Sequence, residues 1–149
     1  MIYLASDHGG FELKNHIKQS FDTVGIAYED VGAHELDPND DYPDYAKLAA
    51  SKISQNPTDN KAILICRSGV GEVIVANKFN NVRASLSWNE EHAKKSREDD
   101  DTNVLTLPAD YISKEEALNI VGTWLNTDFS NEERHTRRIN KIKEIENKQ

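Results

Sequence analysis

Five short strand-like runs, Ile2 to Ala5, Ile26 to Val31, Ala62 to Cys66, Val82 to Leu86 and Val104 to Leu107, recur along the chain with helical patterns between them. The helical spacing is plain in Phe11, Leu13, Ile17 and Phe21, in Tyr45, Leu48, Ala49 and Ile53, and in Ala117, Leu118, Val121, Trp124 and Leu125. Continuous apolar strands alternating with amphipathic helices read as βαβ units on a parallel sheet covered on both faces. Residues are 37% hydrophobic and 30% charged, so these few runs must supply the core. The expected fold is α/β, a three-layer αβα sandwich with a five-stranded parallel sheet of Rossmann or flavodoxin-like type. At 149 residues the chain suits one domain, 1–149.

Local signals refine the boundaries. Ser113 with Glu116 three residues later is a capping box opening the fifth helix, and Asn131 is expected to cap an extra C-terminal helix running to near Gln149. That helix carries Ile139, Ile142 and Ile145 as a narrow stripe, suited to packing on the domain or on a second subunit. His34 to Pro43 reads as a long acidic loop. No apolar stretch reaches the ~18 residues of a membrane span, and no basic leader precedes the first strand. A single cysteine cannot close an internal disulfide, so a cytoplasmic protein is expected. The formal charge of −8 argues against nucleic acid as a partner, while a small anion can still find a local cationic pocket.

In an open parallel sheet, ligands bind beyond the carboxyl ends of the strands where strand order reverses. With a flavodoxin-like order 2-1-3-4-5, that point lies between the first and third strands. The loops there are Ser6-Asp7-His8-Gly9-Gly10 and Arg67-Ser68-Gly69-Val70-Gly71. The glycines permit close backbone approach, and free N–H groups at a helix start near Glu72 suit an oxyanion or a sugar oxygen. A Gly-x-Gly turn of this kind is as often only a tight connection. The dinucleotide fingerprint lacks its third glycine, the Walker loop lacks its Gly-Lys-Ser/Thr ending, and a phosphatase loop would need arginine in place of Glu72.

Five ordered motifs nevertheless converge: Ser6 to Lys14, Asp41-Tyr42-Pro43-Asp44-Tyr45-Ala46, Cys66 to Gly71, Ala76-Asn77-Lys78, and Arg134-His135-Thr136-Arg137-Arg138. Through them nearly the whole chain resembles the ribose-5-phosphate isomerase type B and galactose-6-phosphate isomerase family. The resemblance implies metal-free and cofactor-free aldose–ketose isomerisation of a sugar phosphate, with ribose 5-phosphate and ribulose 5-phosphate as the leading pair. It also implies a homodimer with sites built from both subunits, a tetramer remaining open. Other readings are an isomerase of a tetrose or hexose phosphate and a non-catalytic sugar-phosphate binder.

Such chemistry requires a base beside the carbonyl, donors for the enediolate oxygens and a group that opens the sugar ring. The resemblance places the base at Cys66 in one branch of the family and at Glu72 in another, and this chain has both. Glu72 is preferred, because Ser68 and Trp88 accompany it. A helix N-terminus would lower the Cys66 thiol, and shelter would raise the Glu72 carboxyl. Asp7 and His8 match residues that touch substrate hydroxyls and phosphate, with Arg67, Ser68, Gly69, Val70 and Gly71 forming the binding loop. Arg134 and Arg138, at i and i+4, match a phosphate grip.

The departures are as informative. Asp99 stands where the family has its ring-opening histidine, and Asp100 stands for the following asparagine. Like-charge pressure from Asp100 and Asp101 could raise Asp99 toward that role. Asp110 replaces a phosphate-binding arginine, which Arg67 would offset by turning inward.

Overall fold

The computed structural model describes residues 1–148, and the expected helix end near Gln149 lies outside them. In chain order the elements are β1 (Ile2–Ser6), α1 (Phe11–Val24), β2 (Tyr28–Asp30), α2 (Tyr42–Gln55), β3 (Lys61–Cys66), α3 (Val70–Ala76), β4 (Ala84–Leu86), α4 (Glu90–Asp100), β5 (Val104–Pro108), α5 (Lys114–Leu125) and α6 (Glu133–Glu146). All four strand pairings are parallel, and the sheet order is β2-β1-β3-β5-β4. The α/β sandwich is therefore as expected, whereas the outer pair reverses the order 2-1-3-4-5. Burial explains the reversal. Every residue of β5 is buried and needs neighbours on both sides, while β4 is three half-buried residues suited to an edge.

Side-chain alternation along the strands feeds two cores. Leu4, Ile63, Ile65, Leu105 and Leu107 face α1, α4 and α5, whose Ile17, Phe21, Ile120 and Trp124 cover them. Tyr3, Ala5, Ala62, Leu64 and Val104 face α2 and α3. This sorting follows from crossover handedness. Steps toward the β2 edge, β1 to β2 and β4 to β5, carry their helices on the first face, and steps the other way carry α2 and α3 on the second. At about 25 cal/mol per Å2 each fully buried Leu or Ile contributes roughly 1.5–3 kcal/mol, so the sheet is the rigid part that positions the loops above it.

The Ser113–Glu116 capping box is present in both directions, Glu116 N–H donating to Ser113 Oγ at 3.2 Å and Ser113 N–H to Glu116 Oε2 at 2.7 Å. The cap of α6 differs from expectation. Asn131 takes a left-handed φ of 56° and Glu132 occupies the N-cap, because Ser130 Oγ already accepts the Glu132 N–H at 3.4 Å. Along α6, Ile139 is buried against the domain while Ile142 and Ile145 remain exposed. Among the described residues no helix is long and apolar enough to cross a membrane.

Candidate active site

The direction in which successive strands are added reverses between β1 and β3 despite the changed outer order, so the crevice beyond their carboxyl ends is retained. The turn after β1 packs directly on β3. A Cβ on Gly10 would lie 2.0 Å from the Ile65 carbonyl oxygen, so glycine alone permits the approach. Asp7 is buried there, and its Oδ1 accepts the Gly10 N–H at 3.1 Å. Burial raises its carboxyl, against the hydrogen bond from Gly10. The turn after β3 closes when Gly69, at φ +73°, donates its N–H to Cys66 Sγ at 3.0 Å. A side chain at Gly69 would press within 2.5 Å of Leu86 Cδ1.

α3 begins at Val70, two residues before the expected start near Glu72, and runs seven residues. Ser68 Oγ accepts the Val70 N–H at 3.4 Å, and Val70 is exposed on the first turn. Gly71 lies under the Tyr42 ring, where a Cβ would meet it at 2.5 Å. Glu72 is 0% exposed, and neither carboxylate oxygen has a hydrogen-bond partner. Burial first, and then the Asp7 carboxylate, lift its acid well above the ordinary range, with the Lys14 ammonium opposing. A wholly buried, unpartnered carboxyl is costly to keep, which makes Glu72 a candidate functional group.

Lys14 was not singled out from the sequence. It is fully buried on α1, donating from Nζ to Asp30 Oδ1 at 2.8 Å and to the Ala33 carbonyl at 2.5 Å. Its signal is a lysine at the i−3 position of the apolar stripe that Ile17 and Phe21 continue.

Cys66 is buried, and its thiol is raised by desolvation and then by the charge of Glu72, against hydrogen bonds from Gly69 and Ser68. The expected low thiol is thus overturned: burial outweighs the dipole of a seven-residue helix. Arg67 does not turn inward. It is exposed, with Nη1 3.6 Å from Asp110 Oδ2, and its stem lies over Gly9. With His8, Leu36, Asp110 and Lys114 it lines a cleft of about 640 Å3. Trp88, beyond β4, is exposed and stacks on His92 at 4.2 Å between ring centroids.

Asp7, His8 and Asp40 bring three possible ligand atoms within 4.8 Å of one another. His8 Nδ1 and Asp40 Oδ1 are 2.6 Å apart, and the same oxygen accepts the His8 backbone N–H at 3.0 Å. With Asp7 Oδ1 bound to Gly10, these atoms are committed to a hydrogen-bonded turn rather than an open coordination sphere.

The remaining expected residues lie at the other end of the sheet. Asp99 lies in the last turn of α4, and its Oδ1 is 3.7 Å from His135 Nε2 on α6. Asp100 is exposed beside it, and its carbonyl accepts Arg83 Nε–H at 2.9 Å. Asp101 turns to the arginines instead, with Arg83 and Arg97 holding it at 2.8 and 2.7 Å. Arg134 and Arg138 are exposed on α6, Arg134 donating to Glu132 at 2.8 Å. Farther along α6, Glu146 accepts the Asn81 N–H at 3.1 Å just before β4, so the whole helix spans the amino ends of the outer strands. One chain therefore gathers Asp7, His8 and Cys66 through Glu72 at the carboxyl end, and Asp99, Asp100, Arg134 and Arg138 at the amino end.

The profile described as Ribose/Galactose Isomerase matches residues 2–142. A probable ribose-5-phosphate isomerase B of Mycoplasma genitalium is 40% identical over 141 residues, covering 95% of this chain and 92% of that protein. A putative sugar phosphate isomerase of Bacillus subtilis is 40% identical over 147 residues, 99% of this chain and 97% of its own. The crystal structure of the Mycoplasma genitalium ribose-5-phosphate isomerase B with bound ribulose-5-phosphate superposes with a TM-score of 0.96 at 39% identity, covering 99% of this chain and 97% of that one.

Proposed function

Because the chain belongs to the ribose/galactose isomerase family, we propose that it interconverts ribose 5-phosphate and ribulose 5-phosphate through an enediolate, with Glu72 as the base. The observation that carries the assignment is the Glu72 carboxyl, wholly buried and without a partner beside the loops after β1 and β3. In the open-chain aldose it takes the proton from C2 and returns it to C1, while the oxygens exchange a proton in the same sense. A carboxyl whose affinity for the proton is raised by burial can do both. Gly69 N–H is taken by Cys66 Sγ and Val70 N–H by Ser68 Oγ, so Gly71 N–H, ahead of the bond from Val73 N–H to the Gly69 carbonyl at 3.2 Å, is the donor this loop offers to the enediolate oxygens. Asp7 and His8 face the sugar hydroxyls and phosphate. Cys66 holds the turn before α3, its Sγ accepting the Gly69 N–H.

The phosphate grip by Arg134 and Arg138 and the ring-opening place of Asp99 and Asp100 belong to the same reading, and they require a second copy. A site that joins Glu72 to those residues takes one set from each of two chains, since a single chain holds them at opposite ends of its sheet. Exposed Tyr42, Leu48, Val70 and Ile74 on α2 and α3 supply apolar surface suited to such a homodimer. The protein acts in the cytoplasm without a metal or other cofactor. The test is NMR of ribose 5-phosphate with the protein in D2O, with erythrose 4-phosphate and a hexose 6-phosphate alongside. Deuterium at C2 and ketose formation are expected for the pentose. Exchange confined to another sugar would reassign the substrate, and none with any would exclude catalysis.

A further inference from the structure

The loop from β2 to α2 leaves His34 through Asn39 exposed, yet the next side chain turns in: the Asp40 carboxylate is 5% exposed. Its Oδ2 is buried with no hydrogen-bond partner. Its Oδ1 accepts twice from one residue thirty-two positions away, from the His8 backbone N–H at 3.0 Å and facing the His8 Nδ1 at 2.6 Å. A carboxylate withdrawn from water at the end of an acidic loop is costly unless the pairing it makes matters. Tyr45 lies beside the carboxylate, but the short contacts of its Oδ1 are both with His8, whose side chain stays partly exposed on the wall of the cleft. An ionised carboxylate only accepts, so the short contact requires the proton on Nδ1 and leaves Nε2 as the free edge of the ring. The backbone contact fixes the turn that carries the ring, and the side-chain contact fixes its rotation and tautomer together.

We infer that Asp40 is a positioning residue for His8, clamping its backbone N–H and Nδ1 so that Nε2 is presented to the substrate in the cleft. The inference rests on His8 contacting substrate, as in the function proposed above. Asp40→Asn keeps the shape while its amide nitrogen can donate to Nδ1, which moves the proton of the neutral ring to Nε2, the consequence known for an aspartate that orients a catalytic histidine. The tautomer is read by long-range 15N–1H correlation at pH about 8.5, well above the ordinary histidine pKa, with the signal assigned by its loss in His8→Gln. The wild type is expected to show Nδ1–H and Asp40→Asn to show Nε2–H, at unchanged melting temperature.

In steady state the variant should raise KM for ribose 5-phosphate about 10-fold while kcat changes less than about 3-fold, because an orienting partner acts on binding shared by ground and transition states. A wild-type ring protonated on Nε2, or an Asp40→Asn enzyme with wild-type KM, overturns the inference. The tautomer needs no substrate, so it decides the clamp even if ribose 5-phosphate proves the wrong sugar.

Discussion

Glu72, the base proposed above, concentrates the cost of burying an unpartnered carboxyl in one side chain. At pH below its ordinary value of 4.5 the carboxyl is protonated in folded and unfolded chains alike. Above that value the unfolded chain releases the proton while the folded chain, with its raised pKa, retains it, so stability declines as pH rises until the folded carboxyl also ionises. Glu72→Gln removes that decline. The variant is expected to lose at least ~10²-fold in kcat, the usual contribution of a placed base, and to melt higher than the wild type by ~2 °C or more at pH 8, with the difference vanishing at pH 4. Cys66→Ala should keep kcat within a few-fold, since burial and the Glu72 charge hold its thiol protonated. A Cys66→Ala enzyme without turnover beside an active Glu72→Gln enzyme would reverse the assignment. Glu72 and Cys66 were both visible in the sequence and both are buried; what separates them is that Cys66 Sγ accepts the Gly69 N–H while the Glu72 oxygens have no partner, which no local pattern encodes.

At the scale of elements, α3 is too short to hold itself, since isolated helices below ~12 residues are marginal. Its start is set by the left-handed Gly69, whose N–H meets Cys66 Sγ. Gly69→Ala combines the αL penalty of ~1–2 kcal/mol with a collision at Leu86, and should lower the melting temperature by several degrees and kcat with it, as Glu72 rides on the first turn. Ser113→Ala, at the capping box of α5, should cost ~1 kcal/mol and leave kcat unchanged. Thermal melts and steady-state rates check both. The capping box was legible because two side chains three apart satisfy it locally, whereas the start of α6 moved from Asn131 to Glu132 because Ser130 and a left-handed Asn131 compete for the same turn.

For the whole molecule, the decisive geometry is the separation of Glu72 from Arg134 and Arg138 by the length of the sheet. If each working site draws on two chains, Glu72→Gln and Arg138→Ala subunits complement one another. Random reassociation of the two inactive proteins in equal amounts makes half the dimers mixed, each with one intact site, so about one quarter of wild-type activity should return. Activity that stays at the level of the separate variants after subunit exchange would show that each chain holds its own complete site.

Strand-like runs, helical stripes and five ordered motifs were enough to read an α/β sandwich and an isomerase family, because hydrophobic periodicity and motif residues are written locally along the chain. Placement of β5 inside β4 was not, since it depends on which strand the rest of the molecule buries. Nor was the role of Asp40 or Lys14 open to view, because an aspartate in an acidic loop and a lysine in a charged helix look like solvated residues until the fold brings them to His8 and Asp30. The same reason covers the separation of Glu72 from Arg134 and Arg138: parallel strands send their connections to opposite edges of the sheet, and no local pattern tells which edge a residue will occupy.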